Sequence, residues 1–362
     1  MSAINKKTGL NILCTCRMGA GTFEAKILPI TKLQSINNVF IARHGDKIEI
    51  PGVINIHLPR ILKFKIFHLL FTPVFLIYYV RKLKIDLILA YHIIPYAFFA
   101  FFTHLITKKP YVLGQTGIYI QDYMRKPILG MAIKHVIKNA LYLNVPGSVS
   151  REFWIKEGVA STKINILHST IDTDKFQPNS TIEKKYDIVF VGRLVKLKQV
   201  DLLLKSIYNL KMDKIFCKLA IVGDGVEYNN LVNLVKEYEI EDQVSFLGFR
   251  KDIISVLNSS KYMAMISNSE GLPCSLMEAM SCEVLPLSSM VGNIPDLINN
   301  KVNGFLFNDF EQTTIDKTIN MAISQYGSQQ DKEMRKNARQ TIIDFHSHLS
   351  SIQQWKTIIS KL

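Results

Sequence analysis

The sequence predicts an α/β protein made of two doubly wound units in series. Three observations carry this. Short buried-type apolar runs alternate with stretches of helical spacing. The rhythm breaks at a polar stretch, Ile171 to Lys185, and then restarts. The length of 362 residues, 48% of them hydrophobic, suits two domains of roughly 100–200 residues, each able to bury its own core.

Leu10 to Cys16 is an apolar strand that runs into the glycine turn Arg17-Met18-Gly19-Ala20-Gly21-Thr22. Helical spacing follows through Lys26, Ile27, Ile30 and Leu33, then a strand over Val39–Ala42. Further strands are predicted at Asp86–Tyr91, Tyr111–Leu113 and Leu141–Val145. In the second half the strands are Tyr186–Gly192, Lys218–Gly223, Val244–Leu247, Tyr262–Ser267, Leu285–Ser288 and Phe305–Phe307. Helices are predicted over Leu202–Leu210, Tyr228–Tyr238 and Ser275–Ser281. The predicted division is a first domain at 1–170, a linker at 171–185, a second domain at 186–344 and a terminal helix at 345–362. The halves share no alignable repeat.

With 20% charged and 10% aromatic residues, a disordered chain is excluded. Five scattered cysteines (Cys14, Cys16, Cys217, Cys274, Cys282) predict reduced thiols in a cytoplasmic protein, and the polar, basic start predicts no secretory leader. Cys14-x-Cys16 has no third and fourth ligand nearby, so it does not read as a zinc site. The net charge of +14 is one-sided. Residues 1–180 hold 23 Lys and Arg against 9 Asp and Glu, whereas residues 181–362 hold 21 of each. Such a half suggests an anionic partner: nucleic acid, lipid headgroups or a phosphorylated substrate.

Residues 58–107 mix aromatics with Arg60, Lys63, Lys65, Arg81, Lys82 and Lys84. The run Ile66–Val80 is shorter than the roughly 20 residues a membrane crossing needs. Leu87–Thr107 reads as a strand that turns at Pro95 into a helix. A basic, aromatic surface helix in the headgroup region fits the segment, and so does an ordinary core helix with solvated lysines. The one-sided charge favours the membrane.

The strongest motif is Ser269-Glu270-Gly271-Leu272-Pro273-Cys274-Ser275-Leu276-Met277-Glu278. Two carboxylates flank a turn that opens a helix, whose N-terminal N–H groups and dipole suit a phosphate or diphosphate. Carboxylates accept paired hydrogen bonds from vicinal hydroxyls, so the pattern describes a sugar-nucleotide site. Ser275-x-x-Glu278 also reads as a capping box, which leaves Glu270 unexplained. A second motif, Phe190-Val191-Gly192-Arg193-Leu194-Val195-x-x-Lys198, ends a strand and offers a guanidinium fork and an ammonium to a diphosphate. Gly223-Asp224-Gly225 is a tight turn.

In this order, continued by Phe246-Leu247-Gly248-Phe249, Val291-Gly292-Asn293-Ile294-Pro295-Asp296 and Asn303-Gly304-Phe305-Leu306, the chain resembles glycosyltransferase family 4 with its Glu-x7-Glu motif. The resemblance covers nearly all of the second half; in the first it is thin. It implies the GT-B fold, two Rossmann-like doubly wound domains facing across a cleft, and retaining transfer from a nucleoside-diphosphate sugar. Arg193 and Lys198 would hold the diphosphate and neutralise the leaving group, and Glu278 would bind the ribose hydroxyls. Glu270 would meet the transferred sugar, with backbone N–H groups offered by Cys274, Ser275 and Leu276. The backbone at Phe249 and Arg250 would meet the base, and Gly192 precedes the arginine. Asp86-Leu-Ile-Leu-Ala-Tyr-His92 looks like the family's Asp-x5-His, whose histidine lies beside the reacting sugar. Gly19 and Gly21 look like its first glycine turn. The last helix would cross back to brace the first domain. Departures are Gln199 and Glu283 for glycines, Gly292-Asn293 for paired glycines, Ser169-Thr170 for Asn-Gly and Thr116-Gly117 for His-Gly.

No Walker loop is present, and a diphosphate held by Arg and Lys does not need a divalent ion, so neither a metal nor another cofactor is expected. The reading is a cytoplasmic retaining glycosyltransferase, peripheral to the inner face of the cell membrane. Its acceptor would be a saccharide, lipid-linked, in bacterial lipopolysaccharide, O-antigen or capsule assembly. The alternatives are a GT-B epimerase or hydrolase of nucleotide sugars, and a nucleic-acid-binding protein. Against the last, the basic half interleaves its cations with apolar runs and lacks a reading module.

Overall fold

The structure, a computed structural model, describes residues 9–18, 20–43, 47, 49–59, 64–115 and 120–362. Gly19, Arg60, Lys63, Thr116 and Gly117 lie outside the described residues. The chain divides into two compact units. Unit 1 comprises Met1–Thr170 and His348–Leu362, and unit 2 comprises Ile171–Ser347.

Unit 1 contains β1 (Leu10–Thr15), α1 (Ala20–Thr31), β2 (Ile36–Arg43), β3 (Val53–His57), α2 (Lys65–Lys82), β4 (Leu87–Tyr91), α3 (Phe98–Thr107) and β5 (Tyr111–Gly114). It continues with α4 (Ile120–Met124), α5 (Pro127–Asn139), β6 (Tyr142–Val145), α6 (Ser148–Lys156) and β7 (Ile164–Ile166). Unit 2 contains β8 (Tyr186–Val191), α7 (Val200–Met212), β9 (Leu219–Val222), α8 (Tyr228–Glu237), β10 (Val244–Gly248), α9 (Ile253–Asn258) and β11 (Ser260–Met265). After these come α10 (Cys274–Ser281), β12 (Leu285–Ser289), β13 (Phe305–Phe307), α11 (Gln312–Ser324) and α12 (Gln329–Phe345), and then α13 (His348–Ile359), which returns to unit 1.

The two sheets run β3-β2-β1-β4-β5-β6-β7 and β10-β9-β8-β11-β12-β13, with every recorded pairing parallel. Both place their first strand in the middle and reverse direction beside it, between β1 and β4 and between β8 and β11. The halves that share no alignable sequence therefore share one topology. Parallel strands are covered on both faces, which is why β4 and β9 are buried at every position. Alternate residues of β1 feed opposite cores: Leu13 lies under α2, α3 and α5, while Ile12 and Cys14 lie under α1 and α13. Trp355 of α13 is fully buried in that second core.

Several elements go beyond the sequence reading. β3 and β7 are short, and β3 carries exposed or half-exposed Ile54 and Asn55, so its apolar signal is diluted. α11 and α12 bury narrow stripes, Ile315-Ile319-Ala322 and Met334-Ala338-Ile342, on otherwise polar helices. The stretch expected as a linker, 171–185, holds no helix or strand but is part of unit 2. Ile171 and Phe176 are buried in its core, and Ile171 N–H donates to the His346 carbonyl at 2.8 Å.

Two of the departures from the family pattern acquire a physical meaning. Gln199, before α7, has φ 45°, and Glu283, between α10 and β12, has φ 58°. Both hold the left-handed conformation that glycine adopts without steric cost. Gln199→Gly and Glu283→Gly should each stabilise the protein by about 0.5–1 kcal/mol, the relieved strain exceeding the added unfolded-state entropy. Chemical denaturation measures this, and an unchanged or lowered midpoint would count against the strain.

Candidate functional site

Ligands of open parallel sheets bind beyond the carboxyl ends of strands where the order reverses. In unit 2 that point lies between β8 and β11. β8 delivers Gly192 and Arg193, and a short helical turn then carries Lys198. β11 leads through Ser267–Ser269 to Glu270. The two segments are tied: Asn268 N–H donates to the Leu197 carbonyl at 2.9 Å, and the Lys198 ammonium pairs with the Glu270 carboxylate. Both side chains are largely buried, at 13% and 11% exposure.

Two glycines make the close approaches possible. Gly223, at φ +137°, lies so near the Gly192 carbonyl that a Cβ would stand 1.8 Å from its oxygen. Gly292, at φ +57°, packs equally closely on the Glu270 carbonyl. Asn293 N–H adds a hydrogen bond of 3.1 Å to the Gly271 carbonyl. The Val291–Asn293 loop thus buttresses the segment that carries Glu270.

A cavity of about 390 Å³ opens at this edge, lined among others by Gly192, Arg193, Asp224, Phe249, Arg250 and Glu278. Phe249 is 77% exposed at its rim, a flat apolar surface of the kind a base stacks on. Glu278 is largely buried in it. Burial raises its carboxyl pKa above the ordinary value, and the Lys175 ammonium opposes this. The capping box does not form: α10 starts at Cys274 with Pro273 at its N-cap, so Ser275 is already inside the helix. Glu278 is thereby left for the cavity. The first N–H groups of α10, on Cys274, Ser275 and Leu276, have no acceptor within the helix.

The structure gathers Gly192, Arg193, Phe249, Arg250 and Glu278 around one cavity. Lys198 and Glu270 pair with each other and are not among its lining residues, and neither are Cys274, Ser275 and Leu276. Asp224 and Ile253 also line it. The first was visible only as part of a glycine turn, and the second gave no signal.

In unit 1 the reversal lies between β1 and β4, and His92 follows β4. Its backbone is at φ 69°, outside the regions a non-glycine residue favours, and its N–H donates to the Gly114 carbonyl at 3.1 Å. Its buried Nδ1 has no hydrogen-bond partner among the described residues. Burial lowers its pKa, the Tyr91 backbone opposes this and the Arg17 guanidinium adds to it, so the net effect favours the neutral imidazole. Gly21 lies in the first turn of α1, and Gly19 is outside the described residues.

Residues 172–341, just under half of the chain, match the sequence model of the family described as glycosyl transferases group 1. N-acetyl-alpha-D-glucosaminyl L-malate synthase of Bacillus anthracis is 28% identical over 181 residues, 49% of this chain and 45% of the relative. An undecaprenol-linked-glycan alpha-1,4-N-acetyl-D-galactosaminyltransferase of Campylobacter jejuni is 27% identical over 256 residues, 68% and 69% of the two chains. The chain thus spans about half the length of the first of these curated relatives. Among solved structures, Anabaena Alr3699/HepE in complex with UDP superposes with a TM-score of 0.80 at 17% identity, covering 98% of this chain and 100% of that one. The two parallel-sheet units have the GT-B fold, and residues 172–341 are similar in sequence to the glycosyl transferases of group 1.

Proposed function

We propose that the protein is a retaining glycosyltransferase that moves a hexose from a nucleoside-diphosphate sugar to a saccharide acceptor. The observation that carries this is the site at the β8/β11 reversal, where Arg193, Arg250 and Glu278 line one cavity and the Lys198–Glu270 pair closes the neighbouring loop. Arg193 and Lys198 supply positive charge to a diphosphate, and Glu278 offers two acceptor oxygens to vicinal hydroxyls. Glu270, already bound to Lys198, faces the sugar. No divalent ion is needed where two cations take the leaving-group charge, so turnover should be insensitive to a chelator.

The relative from Campylobacter jejuni is named for an undecaprenol-linked substrate, and HepE is described with UDP. These names support a UDP-sugar donor and a lipid-linked acceptor in bacterial surface polysaccharide assembly. The one-sided charge supports attachment to the inner face of the cell membrane. Among the described residues no helix is long and apolar enough to cross a membrane. On this reading the neutral His92 imidazole hydrogen-bonds a sugar hydroxyl.

A thermal-shift screen against nucleoside diphosphates and their sugars tests the reading, because a ligand that binds only the folded chain stabilises it by mass action. Glu278→Gln should weaken the free diphosphate, whereas Glu270→Gln should spare it and slow transfer. With the Glu278 pKa raised, its ionised form is lost on acidification before that of an ordinary glutamate. Nucleotide affinity should therefore fall early as pH drops, and Glu278→Gln should flatten that dependence. No shift with any nucleotide would end the proposal. Release of sugar without acceptor would make the protein an epimerase or hydrolase.

A further inference from the structure

We propose that α2, α3 and α5 form one docking face for an anionic lipid bilayer, tilted so that the strand edge bearing His92 lies toward the membrane. This rests on the membrane-peripheral reading and turns one segment into an oriented surface. All three helices pack on the same side of the first sheet: Leu76, Phe99 and Ile133 share one core. Each carries the chain back against the parallel strands to the start of β4, β5 or β6. Their N-terminal ends therefore lie at the carboxyl edge of the sheet and their C-terminal ends at the amino edge.

The outward surfaces are apolar to a degree that water does not explain. On α2 Phe67, Leu70, Phe71 and Val74 are exposed, and Phe67 and Phe71 stack at 5.9 Å. On α5 Ile128 is 82% exposed and Met131 is 64% exposed. Exposed apolar side chains in this number on one face mark an interaction surface. The α3 residues Phe102 and Ile106 sit lower and join this end to a belt of cations. Each helix finishes in that belt, with Arg81 and Lys82 on α2, Lys108 after α3 and Lys138 on α5, all exposed. Residues 64–140 hold ten Lys and Arg against two Asp. Both aspartates are in ion pairs, Asp86 with Lys109 and Asp122 with Arg125. Six of the ten cations, Arg81, Lys82, Lys84, Lys108, Lys109 and Lys138, lie at the amino edge, against Lys65, Arg125 and Lys126 at the other. The charge is thus weighted away from the exposed apolar ends of α2 and α5, as the two layers of an anionic leaflet require. The apolar end is also the reactive end: the His68 ring on α2 meets Tyr96 at 5.9 Å, and Tyr96 meets His92 at 6.3 Å.

The test uses the full chain and vesicles of phosphatidylglycerol and phosphatidylcholine, with bromine placed deep or shallow in the acyl chains. Trp154 and Trp355 are fully buried, so they give a constant background. Leu70→Trp and Ile128→Trp should be quenched at least about twofold more by deep bromine than Tyr78→Trp and Ile106→Trp. Equal or reversed depths would overturn the tilt while leaving membrane attachment intact. Wild-type protein that stays free of phosphatidylglycerol vesicles at low salt would overturn both. If that free protein dimerised instead, the face would belong to a second copy.

Discussion

Arg193→Ala and Lys198→Ala are each expected to lower turnover by about 10² or more. On the proposed reaction, charge builds on the departing diphosphate as the sugar–oxygen bond stretches, so a cation there stabilises the transition state more than the bound donor. The two losses should differ in kind. Arg193 lines the cavity, so its removal also weakens donor binding. Lys198 is held by Glu270, so its removal leaves a largely buried carboxylate without that partner and misplaces it. Turnover of Lys198→Ala should therefore fall further than its nucleotide affinity, and Glu270→Gln in the same background should add little. His92→Gly, by contrast, should spare nucleotide affinity and raise stability by relieving the backbone at φ 69°, while lowering turnover. Steady-state kinetics with calorimetry on the free diphosphate separates these outcomes. Near-normal turnover in both cation variants would remove the diphosphate role from this loop.

The largest effect on stability is expected from Arg335→Ala, about 3–5 kcal/mol. Asp331 is 1% exposed near the start of α12, and Arg335 is its counter-ion: Nε donates to one carboxylate oxygen at 2.8 Å and a terminal nitrogen to the other at 3.0 Å. The same guanidinium donates to the Lys261 and Glu283 carbonyls and lies 5.1 Å from the ring centres of both Tyr262 and Tyr326. Removing it leaves the buried Asp331 charge without its counter-ion, with the Gly327 N–H as a remaining donor, and takes a donor from two part-buried carbonyls at once. Arg335→Lys should recover little, because an ammonium cannot reproduce the planar fork. Denaturant titration should show a lower midpoint with an unchanged slope. A loss below about 1 kcal/mol would mean that water replaces the guanidinium.

The legible part of the fold was whatever depended on short-range pattern. β4, β9 and β13 are continuous apolar runs between polar punctuation, and parallel strands buried on both faces must be so. The helices α11 and α12 were not read, because each needs only one narrow buried stripe and is otherwise solvated. In the cavity, Arg193 was legible because a cation at a strand end has few other uses there, whereas Glu270, read ahead of a helix start, pairs with Lys198 and does not line it. Glu278 was ambiguous in sequence, since Ser275 three residues earlier offered it a cap. Only the start of α10 at Cys274 decides against that cap. Asp224 and Ile253 could not be read, because what brings them to the cavity is the pairing of strands far apart in the chain.

The division of the chain has a consequence for synthesis on the ribosome. Unit 2 is one continuous stretch, Ile171–Ser347, and can collapse as soon as it has emerged. Unit 1 cannot: α13 follows unit 2 in the chain, and its Trp355, Ile358 and Ile359 complete the core beneath α1. Until then Phe23, Ile27 and Ile30 of α1 lack a full partner, although they were translated more than three hundred residues earlier. A nascent chain thus carries a finished unit 2 together with an unfinished, apolar, basic unit 1. A stop codon ahead of His348 would spare the finished half and leave the other exposed to chaperones and proteases.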